Sequence, residues 1–153
     1  MATKKRVTQK PQREPKREFV DESLEGAAFR DVTLAGASFE DVTLARATVT
    51  DADASGSVRE NVKADGAKLR DASLKKVSIE NTSLAGARID DVDMSGVSIV
   101  NANLTGAKLT DVNLSHVAIA DACIEGLTID GVRIDTLLAS LKKPSSPRGA
   151  RRK

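Results

Sequence analysis

Residues 102–116 read A-N-L-T-G-A-K-L-T-D-V-N-L-S-H, with large apolar side chains at Leu104, Leu109 and Leu114. Two places before each stands a small one: Ala102, Ala107 and Val112. Followed outward in both directions, the beat of five runs from Phe19 to Ile134, and of its 24 positions only Arg59 is not apolar. The small column has 22 members from Ala27 to Val132, all Ala or Val except Ser57, Thr82 and Leu127. A repeat sustained this long governs how every other residue is read.

Neither regular element carries a beat of five. A helix turning about 100° per residue rotates the apolar position by roughly 140° per repeat, so no stripe forms. In a straight strand, an odd step sends successive apolar residues to opposite faces. The spacing is in fact two, then three. The step of two is strand-like and points both apolar side chains the same way. The extra residue in the step of three lets the chain turn a corner and aim the next pair inward. Corners of one hand, repeated, wind a coil with an apolar interior, and the fold class expected is an all-β solenoid.

A second beat, of ten, marks the corners. From Asp21 to Asp121 every tenth residue is Asp or Asn, in 11 of 11 cases. Midway, from Gly26 to Gly126, eight of 11 are Gly, and the others are Arg46, Lys76 and His116. Asp and Asn suit turns through their side chains, and Gly takes positive φ freely. The three bulky residues imply that positive φ is not needed at every such corner.

Segments such as Ala102-Asn103-Leu104-Thr105-Gly106 and Val112-Asn113-Leu114-Ser115-His116 match the A-(D/N)-L-x-x consensus, and the chain resembles the pentapeptide-repeat family over about residues 19–138. The resemblance implies a right-handed quadrilateral parallel β-helix with four pentapeptides per coil. About six coils at the ~4.8 Å strand spacing give a rod on the order of 29 Å long. One departure is that Ser, Thr or Lys precedes the large apolar residue more often than Asp or Asn does.

The expected organisation is a basic tail over 1–18, a solenoid over 19–133, a cap over 134–141 and a second basic tail over 142–153. Residues 1–18 carry seven Lys or Arg against Glu14 and Glu18, and residues 142–153 carry six and no acid. The body therefore holds 24 − 13 = 11 basic and 22 − 2 = 20 acidic residues, a net near −9 within a chain of net +2. Both ends contain Pro and lack the beat, as disordered tails do. Such tails suit solubility, or electrostatic attachment to nucleic acid or an anionic membrane. No apolar run is long enough for a signal-peptide core or a membrane span, so the expected compartment is the cytoplasm. In Ile134–Leu141 the apolar residues shift to helical spacing. A short capping helix is expected there, with Leu137, Leu138 and Leu141 as candidates for pairing two rods at their C-terminal ends, as relatives in the family do.

Catalytic sets are scarce, and no enzyme, cofactor or metal is expected. His116, the sole histidine, takes a corner position. Cys123, the sole cysteine, takes an outward one, and one His with one Cys makes a poor metal set. The glycines recur at ten, which is corner geometry rather than a phosphate cradle. With no Trp or Tyr, and all three Phe in the core column, stacking on nucleic-acid bases has no platform.

The surface is where function is expected. With 20 residues per coil, Asp31, Asp51, Asp71, Asp91 and Asp111 form a ladder whose neighbours, ~4.8 Å apart, repel by about 0.9 kcal/mol in water. Acceptance of hydrogen bonds from each residue's own turn is one reason for such a ladder. Imitation of a nucleic-acid strand is another, and some members of the family protect DNA gyrase from quinolones through rods resembling B-form DNA. Against mimicry, Lys68, Arg88 and Lys108 stack beside the ladder; Glu40, Glu60 and Glu80 stack on the opposite side. The leading expectation is a non-enzymatic scaffold that binds another protein; a type II topoisomerase is the alternative partner. The beat lapses once, at Ala54, Arg59 and Ala64. An unpaired buried Arg59 costs several kcal/mol, so a local bulge is expected to turn Arg59 outward and Val58 inward.

Overall fold

In the computed structural model, which describes residues 17–141, the chain winds about six coils of a β-solenoid. One parallel sheet stacks β1 (Glu18–Val20), β3 (Ser38–Glu40), β5 (Val58–Glu60), β7 (Ser78–Glu80), β9 (Ser98–Val100) and β11 (Ala118–Ala120). The second stacks β2 (Ala28–Arg30), β4 (Thr48–Thr50), β6 (Lys68–Ser73), β8 (Arg88–Asp93), β10 (Lys108–Thr110) and β12 (Thr128–Ile129). Every parallel register is a shift of 20, as in Phe19↔Phe39 and Leu69↔Ile89. Single bridges such as Thr43↔Lys63 and Asp53↔Ser73 hold the two remaining sides. Each coil thus has four sides, with the two sheets opposite each other.

The core is the two columns read from the sequence. From Leu34 to Leu109 they are almost wholly enclosed, as at Phe39, Leu74, Ile79 and Met94, with the small Ala and Val between them. Toward the ends the same columns are mostly half-buried, with Ile119 exposed and Leu127 enclosed, and of the three Phe rings only Phe39 is fully enclosed. Phe19 stacks on Phe39 with centroids 4.8 Å apart.

Two kinds of corner close each coil. At the first, an i→i+3 bond such as Ala37 N–H to the Leu34 carbonyl (3.0 Å) closes a tight turn whose third residue has positive φ. Contrary to the expectation from the bulky residues, Arg46, Lys76 and His116 adopt that conformation too, at φ 56, 56 and 58. A left-handed non-glycine residue costs about 1–2 kcal/mol, but any other φ here would break the ladder. Arg46 N–H, for instance, donates to the Asp65 carbonyl one coil on (2.9 Å). At the second corner, the Asp or Asn of the ten-beat sits at φ between 48 and 53 in every coil, a region these two residues tolerate best among non-glycines.

The coil ends in a hairpin that the repeat conceals. Asp130 and Gly131, at φ 46 and 79, reverse the chain, and β13 (Val132–Arg133) pairs antiparallel with β12. Two positive-φ residues spelled Asp-Gly are the preferred two-residue hairpin. Helix α1 (Ile134–Leu141) follows, as the shift to helical spacing implied. Its Asp135 accepts hydrogen bonds from Gly126 N–H (3.0 Å), Thr136 N–H (2.8 Å) and Arg133 Nε (3.0 Å), tying the cap to the last corner. These bonds hold the Asp135 carboxyl well below the usual carboxylate range, the Arg133 guanidinium first among them. Parallel stacking on that edge is thereby blocked. At the other end the sheet begins at Glu18, which pairs with Ser38. The remainder of the two expected basic tails, residues 1–16 and 142–153, lies outside the described residues.

Candidate functional site

The outward residues stack as the 20-residue shift requires. Lys68, Arg88 and Lys108 are direct partners on β6, β8 and β10, continued by Thr48 and Thr128. Among the described residues none of the three joins an ion pair, whereas Arg70 on the same face reaches Asp90 at 3.3 Å. Between these columns runs an open trough of about 660 Å³ over Leu69 and Ile89, walled by the three cations and by Arg70 and Asp90. On the opposite sheet Glu40, Glu60 and Glu80 are direct partners, and the column then turns neutral at Val100 and Ala120.

The Asp ladder lies along the corner next to the cationic face. Its backbone N–H groups donate across coils, as from Asp31 to the Thr50 carbonyl and from Asp51 to the Arg70 carbonyl (both 3.3 Å). The Asp71 carboxyl is pushed up, first by loss of water in the column, then by the hydrogen bond and negative charge of Asp91 and the charge of Asp51. Repulsion within the ladder is thus felt at Asp71, from Asp91 and Asp51. The ladder is not held by acceptance from its own turns. That part is played two residues further on, where Asp53, Asp93, Asn103 and Asn113 accept from the N–H of Ser55, Ser95, Thr105 and Ser115, each at 3.0 Å. Ser55 lowers the Asp53 carboxyl; Ser95, aided by Lys75 at 3.1 Å, lowers that of Asp93.

The lapse in the beat takes a different form from the bulge expected. Register is unbroken, with Phe39↔Arg59↔Ile79, and Val58 is the exposed residue, at 44%. Arg59 points inward. The residue retains some exposure, yet its Nε is shut off from solvent without a hydrogen-bond partner, and desolvation brings its guanidinium down to about 10. Its charge lies over the Phe39 ring, 5.7 Å from the centroid. Room exists because the neighbouring large-residue positions hold Ala54 and Ala64, both buried. A cavity of about 30 Å³, lined by Arg59 with Leu44, Ala64 and Thr82, remains beside it. In the same coil Ser57 Oγ is buried and unpartnered.

His116 is an exposed corner residue. Cys123 is exposed, and its thiol lies 3.2 Å from the Thr105 hydroxyl, which lowers it. Among the described residues no three His, Cys, Asp or Glu side chains converge as a metal site would require. None of the helices there is long and apolar enough to cross a membrane. Leu137, Leu138 and Leu141 stand 45%, 40% and 72% exposed on α1.

Four-sided coils, two opposed parallel sheets and outward columns repeating at 20 define a parallel β-solenoid of the repeat-protein class. A family model described as pentapeptide repeats matches in eight copies over residues 23–58, 65–99 and 98–133. The chain belongs to the pentapeptide-repeat family. Among solved structures it is similar to a pentapeptide repeat protein of the cyanobacterium Cyanothece 51142, at 20% identity over 74% of this chain and 88% of that one, TM-score 0.42. It is also similar to a pentapeptide repeat protein of the Arabidopsis thaliana thylakoid lumen, at 24% identity over 79% and 75%, TM-score 0.44. A third, the plasmid-mediated fluoroquinolone resistance protein QnrB1, is 15% identical over 85% and 98%, TM-score 0.28. No curated protein matches the chain.

Proposed function

We infer that the protein is a non-enzymatic scaffold that binds other proteins through the outward columns of its solenoid, in the cytoplasm. The observation that carries this reading is the unpaired cationic column Lys68, Arg88, Lys108 beside an open trough. Like charges held ~4.8 Å apart repel by about 0.9 kcal/mol each, so an unneutralised row favours an anionic partner. The test is affinity capture from host lysate with the full chain, against a variant carrying Lys68→Ser, Arg88→Ser and Lys108→Ser. Proteins retained by the wild type and lost by the variant support the reading. Equal retention, with the variant folded by circular dichroism, overturns it.

A second reading, imitation of a nucleic-acid strand toward a type II topoisomerase, draws on the close approach of Asp71 and Asp91 within an unbroken carboxylate ladder. Its test is gyrase supercoiling with and without a quinolone, and no effect at micromolar protein removes it. Attachment to nucleic acid or an anionic membrane through the basic tails concerns residues outside those described. It is tested by comparing duplex and vesicle binding of the full chain at low and high salt.

A further inference from the structure

The two charged faces of the rod are complementary to each other. They lie on opposite sides of a four-sided coil, so strands on one face run against the sense of strands on the other. Glu40, Glu60 and Glu80 end their strands, whereas Lys68, Arg88 and Lys108 begin theirs. When one rod is displaced sideways without rotation, its Glu-bearing face meets the cationic face of its neighbour. The reversed sense then sets the end of one strand against the beginning of the other, which brings the two columns onto the same edge. Both repeat at 20 residues, because both are built by the same coil. An unrelated partner would need that pitch by coincidence; a second copy has it by construction.

We propose that this chain associates side by side with further copies of itself, the Glu40–Glu60–Glu80 column of one rod meeting the Lys68–Arg88–Lys108 column of the next. This goes beyond the general protein-binding reading by naming one partner. With Glu40 set against Lys68, Glu60 falls against Arg88 and Glu80 against Lys108, an axial offset of 28 residues or about 7 Å at the ~4.8 Å strand spacing. Beyond the three pairs, neutral residues meet neutral ones: Val20 faces Thr48, and Val100 faces Thr128. Behind the cations the flanking column is already neutralised where Arg70 pairs with Asp90. The trough over Leu69 and Ile89 gives the incoming carboxylates room. A net charge of only +2 for the whole chain leaves little general repulsion between copies.

The contact is heterologous, so each added rod exposes a fresh copy of both faces and the array does not close. It is also weak. A strand three residues wide spans about 10 Å, and six coils span about 29 Å, far below the roughly 800 Å² per partner of a stable complex. Exposed ion pairs contribute little one by one and are screened by salt. Association therefore belongs to high protein concentration and low ionic strength.

Sedimentation of the full chain, at concentrations up to about millimolar in low and in ~1 M salt, reads this directly. Mass rising above monomer at low salt, with a dissociation constant weakened at least about tenfold at high salt, is expected. Two charge-reversed triples keep the test independent of folding accidents: Lys68→Glu/Arg88→Glu/Lys108→Glu and Glu40→Lys/Glu60→Lys/Glu80→Lys. Each alone is expected to stay monomeric and to retain the wild-type circular dichroism; mixed one to one, they associate. A monomeric wild type overturns the proposal, as does association of either triple alone to the wild-type degree. If the wild type is monomeric yet still captures a host protein through its cationic column, self-association fails while the scaffold reading stands.

Discussion

Replacing Arg59 by Met is expected to stabilise the protein, which is unusual for a change inside a packed core. Desolvation has brought the guanidinium well down, to about 10, which corresponds to roughly 3 kcal/mol against the charged form. The unpartnered Nε points the same way, since a buried donor left unsatisfied costs about 1–3 kcal/mol. Opposing this, the charge over Phe39 returns about 0.5–2 kcal/mol. The net penalty is on the order of 1–2 kcal/mol, and Met, unbranched and of similar reach, removes it while keeping the methylene packing. Urea unfolding followed by circular dichroism reads the change as a higher midpoint at constant slope, with the melting temperature up by roughly 5 °C. Arg59→Ala is the control. It would leave three consecutive Ala in the large-residue column, from Ala54 to Ala64, and the cavity it opens costs about 2 kcal/mol or more of stability, read as a lower midpoint. A lower midpoint for Arg59→Met, with the slope unchanged, would refute the reasoning and show that the guanidinium is net favourable where it lies. A changed slope would point instead to coils unfolding separately, a known behaviour of repeat arrays.

Asp71→Asn is expected to raise stability at neutral pH, because loss of water first, and then its ladder neighbours Asp91 and Asp51, push the Asp71 carboxyl up, and the folded state therefore holds its proton more tightly than the unfolded one. The advantage is full above the raised folded-state pKa and disappears as pH falls to the unfolded value near 3.9, so urea midpoints at pH 7 and pH 3.5 check both halves; Asn already adopts the same positive φ at the equivalent corners of the opposite column, at Asn61, Asn81 and Asn101. Asp135→Asn acts in the opposite sense. Its folded carboxyl is held low, so the wild-type advantage is present above the unfolded pKa and lost only in strong acid; loss of hydrogen-exchange protection at Gly126 in the variant, near neutral pH, reports the freed cap. His116→Gly removes a left-handed non-glycine worth about 1–2 kcal/mol against a glycine entropy cost of about 0.5–1, so thermal unfolding should show a gain of up to about 1 kcal/mol.

The core and the coil were legible because each rests on a residue type at a fixed interval. Leu104, Leu109 and Leu114 announce the inward column, and the 20-residue register converts charges into stacked columns without further information. What stayed hidden depends on comparing energies rather than counting residues. Arg46, Lys76 and His116 suggested relaxed corners, yet the ladder bonds outweigh the cost of positive φ. Arg59 suggested a bulge because an unpaired charge is expensive; the signal that it would turn inward lay in Ala54 and Ala64, whose small volumes vacate the core beside it. The Asp130-Gly131 hairpin was legible in principle, but the beat continues through Ile134 and masks the reversal. The candidate columns followed from spacing alone; the pairing of Arg70 with Asp90 and the freedom of the three cations required geometry.

Alternation of the two sheets every ten residues bears on how such a chain can lengthen. Corners and core repeat at ten, so duplicating ten residues keeps every Asp, Gly and Leu in phase. It also carries all later residues to the other side of the coil. A ten-residue duplication before Lys68 would leave the interior intact and carry the cationic row onto the glutamate face, Lys68 into the column of Ser38 and Val58 and Arg70 into line with Glu40 and Glu60. Only duplications of 20 lengthen a face without scrambling it. Selection for folding alone is blind to that difference, so the separation of acid from base on opposite sides is a property of the surface that the interior does not maintain.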